Sequence, residues 1–582
     1  MLPSAATPNH SLLVVECGLT GIAIASAFAW PRLGNGTFTR IENRFAQLAR
    51  KQGAAVWSVG LSVILLRLAL LPIYPIPLPF VPDDFSFLLA ADTFAHGRLT
   101  NPTPPMWTHF ESIHITMQPT YQSMYFPGQG LLLAAGQVLF HCPWLAVLIS
   151  SALMCAALTW ALQAWLPPSW ALLGGVIAVL RLGVFSYWTN TYHAGGSLGA
   201  LGGALILGSL PRLMKTARIR YALWMGTGAA ILALTRPYEG LLLCLPVGFV
   251  FLRWVWKRRS SLSVAARARL VAAPLALGLA AVAWLGYYDY RAFGSPLTLP
   301  YTVNRATYAI APYFVWQHQR PVPHYRHAAM RSFYGKDKGE MGFYTQIHSL
   351  KGFVPYTLEK VFYVFLFYAG FTLMIPLIMV RRVFADRRVR FLLICTCVLA
   401  AGMVIEIYLL AHYVSPYTAV FYAIGLQMMR HLRVWKPEGK PSGLAMVRFL
   451  VTVCVLLAGL RVFARPLGIA PSCFPAAFWN FTWYGPEHCG VERAEMESRL
   501  EQLSGDQLVI VRYGQDHNPL NEWVYNRSDL DTSKVVWARD MGAQDNQELI
   551  RFFGNRTDWL VEPDATPSRI TPYRLAAANA GK

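Results

Sequence analysis

The stretch FVPDDFSFLLAADTFAHGRL, Phe80–Leu99, sets two adjacent carboxylates behind an apolar run, 54–75, that is long enough to cross a bilayer. Around it the 582-residue chain is 55% hydrophobic and only 14% charged. Its mean hydropathy of +0.36 lies outside the range of ordinary soluble domains. The composition predicts a polytopic α-helical membrane protein. A net charge of +21 is large enough for a nucleic-acid binder, but the basic residues sit in short clusters between apolar segments instead of along one polar face. Such clusters report topology, and nucleic acid is not among the expected partners.

Roughly thirteen apolar runs follow one another: 11–31, 54–75, 127–142, 144–165, 169–185, 195–211, 221–235, 239–252, 270–288, 358–380, 391–411, 416–430 and 445–464. They predict 12 or 13 transmembrane helices. The basic loops 32–51, 212–220, 253–269, 381–390 and 430–440 are cytoplasmic by the positive-inside rule. The segments 76–126, 235–240, 289–357, 412–416 and everything after about 466 then face outward, into the periplasm of a bacterial inner-membrane protein. Keeping 212–220 inside requires an odd number of crossings from the four runs between 127 and 211, so one of the four is a half-helix or re-entrant segment. The first run carries Glu16 near its outer end and no small-residue cleavage site, which predicts a retained helix with the N-terminus outside.

Three regions are expected: 1–53, an extra N-terminal helix with its cytoplasmic loop; 54–465, the transmembrane domain; and 466–582, a small periplasmic α/β domain. In the last, QLVIVRY (507–513), KVVWARD (534–540) and DWLVEP (558–563) have the pattern of buried strands, and 491–503 and 543–554 that of helices. No Gly-rich phosphate loop accompanies them. Cys473 and Cys489 lie in this outward region, sixteen positions apart, where an oxidising compartment favours a disulfide; free thiols are the alternative. The segment 289–357 is too aromatic for a linker and predicts a folded loop over a membrane-facing cavity.

Two explanations cover Asp83 and Asp84. One Asp can cap the short amphipathic helix that FSFLLAADTFAHG predicts on the membrane surface. A carboxylate at an interface can also serve as a general base toward a hydroxyl. His109, Glu111 and His114 in HFESIHI fall within six residues, but match no standard zinc spacing, so a divalent metal stays open as a cofactor and no other is indicated. Asn190, Tyr192 and His193 in YWTNTYHAGG are polar groups in an apolar setting, and with Glu111 are expected to line a substrate cavity. Arg236 in TRPYEG either snorkels or meets phosphate. Arg98, Arg291 and Arg305 are further phosphate candidates.

The order of pieces resembles the GT-C superfamily of membrane glycosyltransferases, above all glycosyltransferase family 39, the protein-mannosyltransferase and aminoarabinose-transferase-like branch. The matching pieces are PDDFSFLLAADTFAHGRL, then YFPGQGLLLAAGQVLF (Tyr125–Phe140), GTGAAILALTRPYEGLLL (Gly226–Leu243) and YDYRAFGSPLTLPY (Tyr288–Tyr301). The resemblance implies a sugar carried on a polyprenyl phosphate, an acceptor hydroxyl on a glycan, lipid or protein, and transfer at the outer face of the membrane. It also implies Asp83 as base, with Asp84 holding the acceptor or a cation. Two pieces depart from the pattern: Asp-Asp replaces the family's Asp-Glu, and His412-Tyr413-Val414-Ser415-Pro416 replaces its late Arg-Tyr-x-x-Pro. His412 and Tyr413 are therefore donor-phosphate candidates by position. A transporter or flippase of lipid-linked sugars is the competing expectation, with Glu406 inside an apolar run in its favour. An envelope scaffold is a third.

Overall fold

The computed structural model describes residues 10–573, apart from 194, 336–338 and 474–477. The chain divides into two compact units. One comprises Met1–Ile76, Leu145–Trp284 and Lys351–Glu487; the other comprises Pro77–Trp144, Leu285–Leu350 and His488–Lys582. In this grouping both long loops go with the C-terminal segment, and 466–487 goes with the helices.

The first unit is helical, and together with the loop helices it makes the chain a multi-pass membrane protein. Each of the thirteen apolar runs contains a helix. Among the described residues seven helices are long and apolar enough to cross a membrane: Ser11–Ala29, Gln52–Ala69, Pro143–Leu162, Gly196–Thr216, Pro237–Lys257, Val264–Phe293 and Ser442–Val462. Phe353–Ala369 and Thr372–Ala385 add a pair bent by 109°. The other five runs give shorter helices, Pro127–Phe140, Pro168–Gly183, Ile219–Thr235, Arg390–Ile405 and Thr418–Arg433.

The bend has a local cause. Gly370 adopts φ +56, which favours glycine, and a Cβ there would strike Arg181 and Glu16. Glu16 is fully buried, 3.6 Å from Arg181 Nη1, and accepts hydrogen bonds from Thr372 N and Trp483 Nε1, each at 3.2 Å. The lone acid of the first helix therefore ties that helix to the break. At the helix Asn35–Arg50, Glu42 accepts from Arg433 at 2.9 and 3.0 Å and from Arg448 at 2.9 and 3.0 Å. Burial opposes its charge, but the two guanidinium groups outweigh that and take its pKa down to about 2.

The second unit is built around a four-stranded sheet. A small antiparallel sheet forms first, from β1 (Asn101–Pro102), β2 (Ile115–Thr116) and β3 (Thr120–Ser123), in the order β1-β3-β2. Then come β4 (Asp506–Val511), β5 (Val535–Arg539), β6 (Arg556–Glu562) and β7 (Arg569–Pro572), in the order β5-β4-β6-β7. β4 is parallel to both β5 and β6, and β7 closes antiparallel on β6. The strands expected at 507–513, 534–540 and 558–563 are β4, β5 and β6.

Side chains alternate across this sheet with period two. Val509, Val511, Val535, Trp537 and Val561 pack with Met496 and Leu500 of the helix Val491–Glu501. On the opposite face Leu508, Val536 and Ala538 pack with Leu89, Phe110, Ile115, Met117 and Tyr121. The sheet near the chain's end therefore shares one core with the loop that carries the acidic pair. That core also explains the helix Pro82–Ala95, expected to be amphipathic and to lie on the membrane: ten of its fourteen residues are buried, because protein covers nearly every side of it. Along another side it meets the helix Pro127–Phe140, where Gly130 permits the approach; a Cβ there would come 2.7 Å from that of Ala90.

Candidate functional site

The two carboxylates of the opening stretch are in different environments. Asp84 is fully buried, and its Oδ2 accepts from the backbone N–H of Phe80 at 3.3 Å, reaching back over the helix start where Pro82 already removes one N–H. Asp83 keeps 27% of its side chain exposed. Its Oδ1 accepts from the Tyr125 hydroxyl at 2.5 Å, and Oδ2 lies 3.4 Å from His114 Nδ1. That nitrogen is also 2.9 Å from the Tyr125 oxygen. Since the phenol hydrogen goes to Asp83, the Tyr125 oxygen accepts from Nδ1–H. The N-cap is Val81 and neither Asp side chain caps it; Asp84 is turned inward onto the Phe80 N–H, and Asp83 is the reachable carboxylate.

His114 is held in an uncommon conformation, φ +62. Its N–H donates to the Tyr334 hydroxyl at 3.2 Å, and its carbonyl accepts from Ser86 Oγ at 2.6 Å and from Met124 N at 3.1 Å. Its ring meets Phe333 edge-on at 5.2 Å. Strain of this kind persists only where the surroundings fix it, and it concentrates at functional positions.

The C-terminal sheet braces the same helix. Ser528 donates from its N–H and its hydroxyl to Asp92 Oδ2, at 2.9 and 2.6 Å, and Gln137 donates to Oδ1 at 3.0 Å. Burial raises the Asp92 pKa, but these hydrogen bonds prevail and hold it below the usual carboxylate range. Phe85 stacks on Tyr525 at 4.7 Å, with the Arg493 guanidinium 4.8 Å from the Phe85 ring.

The proposed metal group is not assembled. His114 faces Asp83, while Glu111 meets the Tyr308 hydroxyl at 3.1 Å and His327 at 3.3 Å. His109 is buried with no hydrogen-bond partner on either ring nitrogen among the described residues, and burial lowers its pKa. No cluster of three or more His, Cys, Asp or Glu side chains suited to a metal occurs among the described residues. Three of the arginines are otherwise engaged. Arg305 is buried and paired with Glu340 at 2.5 and 2.7 Å, Arg98 donates to Ser528 Oγ at 3.0 Å, and Arg291 donates to the Tyr287 hydroxyl at 3.1 Å on the surface. Cys473 and Cys489 are disulfide-bonded.

A second polar constellation lies in the helical unit. The helix Arg390–Ile405 stops inside apolar surroundings, which leaves its last carbonyls and those of the irregular chain beyond to be satisfied by side chains. Tyr238 donates to Gly402 O at 2.9 Å, Lys360 to Met403 O at 2.8 Å and Glu406 O at 2.7 Å, Tyr356 to Ile407 O at 2.9 Å, and Tyr368 to Ala411 O at 3.2 Å. The capped segment presents His412 and Tyr413. The Arg236 guanidinium lies 4.4 Å from the Tyr413 ring centre, a cation–π distance. The Tyr187 oxygen lies 3.1 Å from His412 N and 2.9 Å from its Nδ1. His193 stacks on Tyr187 at 5.9 Å and meets His412 edge-on at 6.2 Å.

Of the expected cavity residues, His193 joins this group and Tyr192 is buried near it in sequence. Asn190 does not: it accepts from Arg67 at 3.1 Å and donates to Val184 O and Ser186 O, both at 2.9 Å, a structural knot. Glu111 belongs to the other unit. Beside the capped segment an apolar cavity of about 350 Å³ is lined by Phe365, Tyr368, Leu399, Met403, Val414 and Phe421, among others. Tyr125 and Tyr187 were not singled out as site residues from the sequence, since a tyrosine in an aromatic run carries no spacing signal.

No family model and no curated protein matches the chain. Among solved structures it is similar to ArnT from Cupriavidus metallidurans in the apo state, with 12% identity and a TM-score of 0.46 over 86% of this chain and 92% of that one. It is also similar to the apo Archaeoglobus fulgidus oligosaccharyltransferase, with 10% identity and a TM-score of 0.45 over 88% of this chain and 69% of that one. A third likeness is to the archaeal oligosaccharyltransferase AglB from Archaeoglobus fulgidus in complex with an inhibitory peptide and a dolichol-phosphate, with 10% identity and a TM-score of 0.43 over 86% of this chain and 69% of that one.

Proposed function

We propose that this protein is a membrane glycosyltransferase of the GT-C type. It would move a sugar from a polyprenyl-phosphate donor to an acceptor hydroxyl on the periplasmic face of the inner membrane. The observation that carries the reading is the division of labour at Asp83-Asp84. One carboxylate is fully buried on the Phe80 N–H just ahead of the helix, and its neighbour stays reachable, oriented by Tyr125 and His114.

Transfer requires removal of the acceptor's proton as the sugar–phosphate bond breaks. Asp83 takes that proton. Its side chain is 27% exposed, which lets an acceptor hydroxyl reach it. The departing polyprenyl phosphate is met by Arg236 and Tyr413, with His412 beside them, because developing negative charge needs cations and donors. The apolar cavity next to Val414 suits part of the lipid chain. The helix Pro127–Phe140, only fourteen residues long, is the run between 127 and 211 that does not cross.

The test is incubation of the purified protein with labelled polyprenyl-phosphate sugars and candidate acceptors. Release of lipid phosphate by the parent, and its loss in Asp83→Asn, is the expected result. Equal release by both proteins would remove Asp83 from the chemistry. No release by the parent with any donor and acceptor offered would favour transport or scaffolding.

A further inference from the structure

The segment 381–390 combines two properties that topology alone does not join. Five of its ten residues are arginine: Arg381, Arg382, Arg387, Arg388 and Arg390. All five are exposed, and none of their side chains has an ion pair or a hydrogen bond among the described residues. The acid among them, Asp386, is already engaged: it accepts from Gln427 and from Arg388 N at 2.9 Å, and His431 Nε2 lies 3.3 Å away. Val383 and Phe384 of the same segment line the apolar cavity of about 350 Å³. The positive-inside rule accounts for a basic loop at this place. It does not account for a basic loop that also forms the wall of a cavity.

The cavity suits a hydrocarbon chain that enters from the bilayer. Along the helix Arg390–Ile405 it runs from Leu393 to Met403, or about 15 Å at ~1.5 Å per residue, half of the ~30 Å hydrocarbon thickness. That is the depth of one leaflet. Val361, Phe365 and Phe384 line it and are also exposed, at 46%, 42% and 62%, so it opens sideways where lipid lies. Thr396, a polar residue of its wall, turns its hydroxyl onto Leu392 O at 3.0 Å and leaves the wall apolar. Leu409 and Val414 form the other end, the part suited to the donor's chain.

We infer that the inner end of this cavity holds one acyl chain of an acidic diacyl phospholipid of the cytoplasmic leaflet, with its phosphate on Arg381 and Arg382. These two arginines directly precede Val383 and Phe384, so headgroup and chain meet one stretch of backbone. A guanidinium matches phosphate with two parallel hydrogen bonds. Basic clusters at the cytoplasmic ends of membrane helices attract acidic headgroups, and each cation near the surface raises affinity about fivefold. A zwitterionic lipid brings its own cation and gains much less. The inference goes beyond the transfer reading and does not depend on it.

The experiment uses full-length protein in phosphatidylcholine nanodiscs doped with a phosphatidylglycerol that carries a photoreactive diazirine in one acyl chain. A phosphatidylcholine with the same chain is the comparison, and labelled peptides are mapped by mass spectrometry. In the parent, 380–403 and 421–429 should take at least about fivefold more label from phosphatidylglycerol. Arg381→Gln combined with Arg382→Gln should bring the two lipids level. Arg258→Gln combined with Arg259→Gln, in another basic loop, should leave the preference as it is. Gly425 lines the cavity and a Cβ on it would meet nothing within 4 Å, so Gly425→Leu puts a side chain into that space and should remove most labelling by both lipids. The arginine replacements lie on the surface and test the headgroup independently of the cavity variant.

Equal labelling of the parent by the two lipids, a preference that survives loss of both arginines, or unchanged labelling in Gly425→Leu overturns the inference. So does displacement of the label from 380–393 by an excess of unlabelled polyprenyl monophosphate, because the inner end would then belong to the donor's chain. Preferential labelling of a protein that releases no lipid phosphate supports the lipid site and leaves the transfer reading to fall alone.

Discussion

The site around Asp83 and the site around His412 are both polar constellations at places where a helix begins or ends, yet they are built in opposite ways. Asp83 sits at a helix start whose surroundings are charged and strongly paired: Asp92 with Ser528, Glu111 with His327, and the buried Arg539–Glu522 pair whose arginine also donates to Glu111 O. His412 sits just beyond a helix end whose carbonyls are covered by three tyrosines and a lysine. At the start of a helix the loose groups are N–H donors, which carboxylates satisfy. At its end they are acceptors, which hydroxyls and ammonium groups satisfy. The chemistry expected of each site follows from what the backbone left over: a base at one, donors and a cation at the other.

The strongest challenge to this contrast is Asp83→Asn. Turnover should fall by about a hundredfold to ten-thousandfold with donor affinity near normal, because Asn cannot accept the proton. Asp84→Asn should act on stability and spare a measurable share of turnover. If Asp84→Asn proves the more damaging to turnover, the base is Asp84.

Next in size is Arg539→Met, which strands Glu522 in a fully buried position. Breaking a pair of this kind costs about 3–5 kcal/mol. A drop in the thermal midpoint of the sheet-bearing unit is expected, together with loss of transfer, since the same sheet braces the Asp83 helix. Intact transfer in a thermally weakened protein would separate the sheet from the site.

Arg236→Ala should raise the donor concentration required by about ten- to a hundredfold, with a smaller effect on turnover, through loss of a charge-assisted contact worth about 1.5–3 kcal/mol. An unchanged donor requirement would end the contrast between a base site and a phosphate site.

The smallest effect is in acid. The Asp92 pKa lies below its ordinary value in the folded chain, so its contribution to stability is complete above the unfolded value of about 3.9 and disappears as the pH falls through the lower, folded value. Glu42 behaves the same way between 4.5 and about 2. Both stretches should therefore hold at pH 5 and loosen below about 4, visible as amide exchange in the helices Pro82–Ala95 and Asn35–Arg50. Loosening that begins at pH 6 would point to histidines instead.

Much of this was legible in the sequence because it is local. Apolar runs predict helices wherever they occur, and QLVIVRY and KVVWARD predict strands through β-branched content; each run and each strand has its counterpart. Length was harder to read: 127–142 looks like a span in hydropathy, but its helix, Pro127–Phe140, has 14 residues, short of the ~17–25 of a crossing. The shared core of Leu89 with Leu508 and Val536 left no trace at all, because such contacts join residues with no common pattern. For the same reason Asp83 and Asp84 could be singled out but not told apart. What separates them is Tyr125, forty-two positions away, and the turn of helix that faces one inward.

The core shared between the acidic helix and the C-terminal sheet also has a meaning in time. Ser528 and Asp92 are 436 residues apart, which at ~5–20 residues per second of synthesis is a delay of roughly 20–90 s. Throughout that interval the helix bearing Asp83 is made and delivered but lacks the packing and hydrogen bonds that the C-terminal segment supplies. A chain interrupted anywhere before β4 would insert its spans and still hold its carboxylate in an unfinished bed. The order of synthesis thus sets a delay: the helix of the group proposed to do the chemistry takes its final setting only after the last sheet has been made.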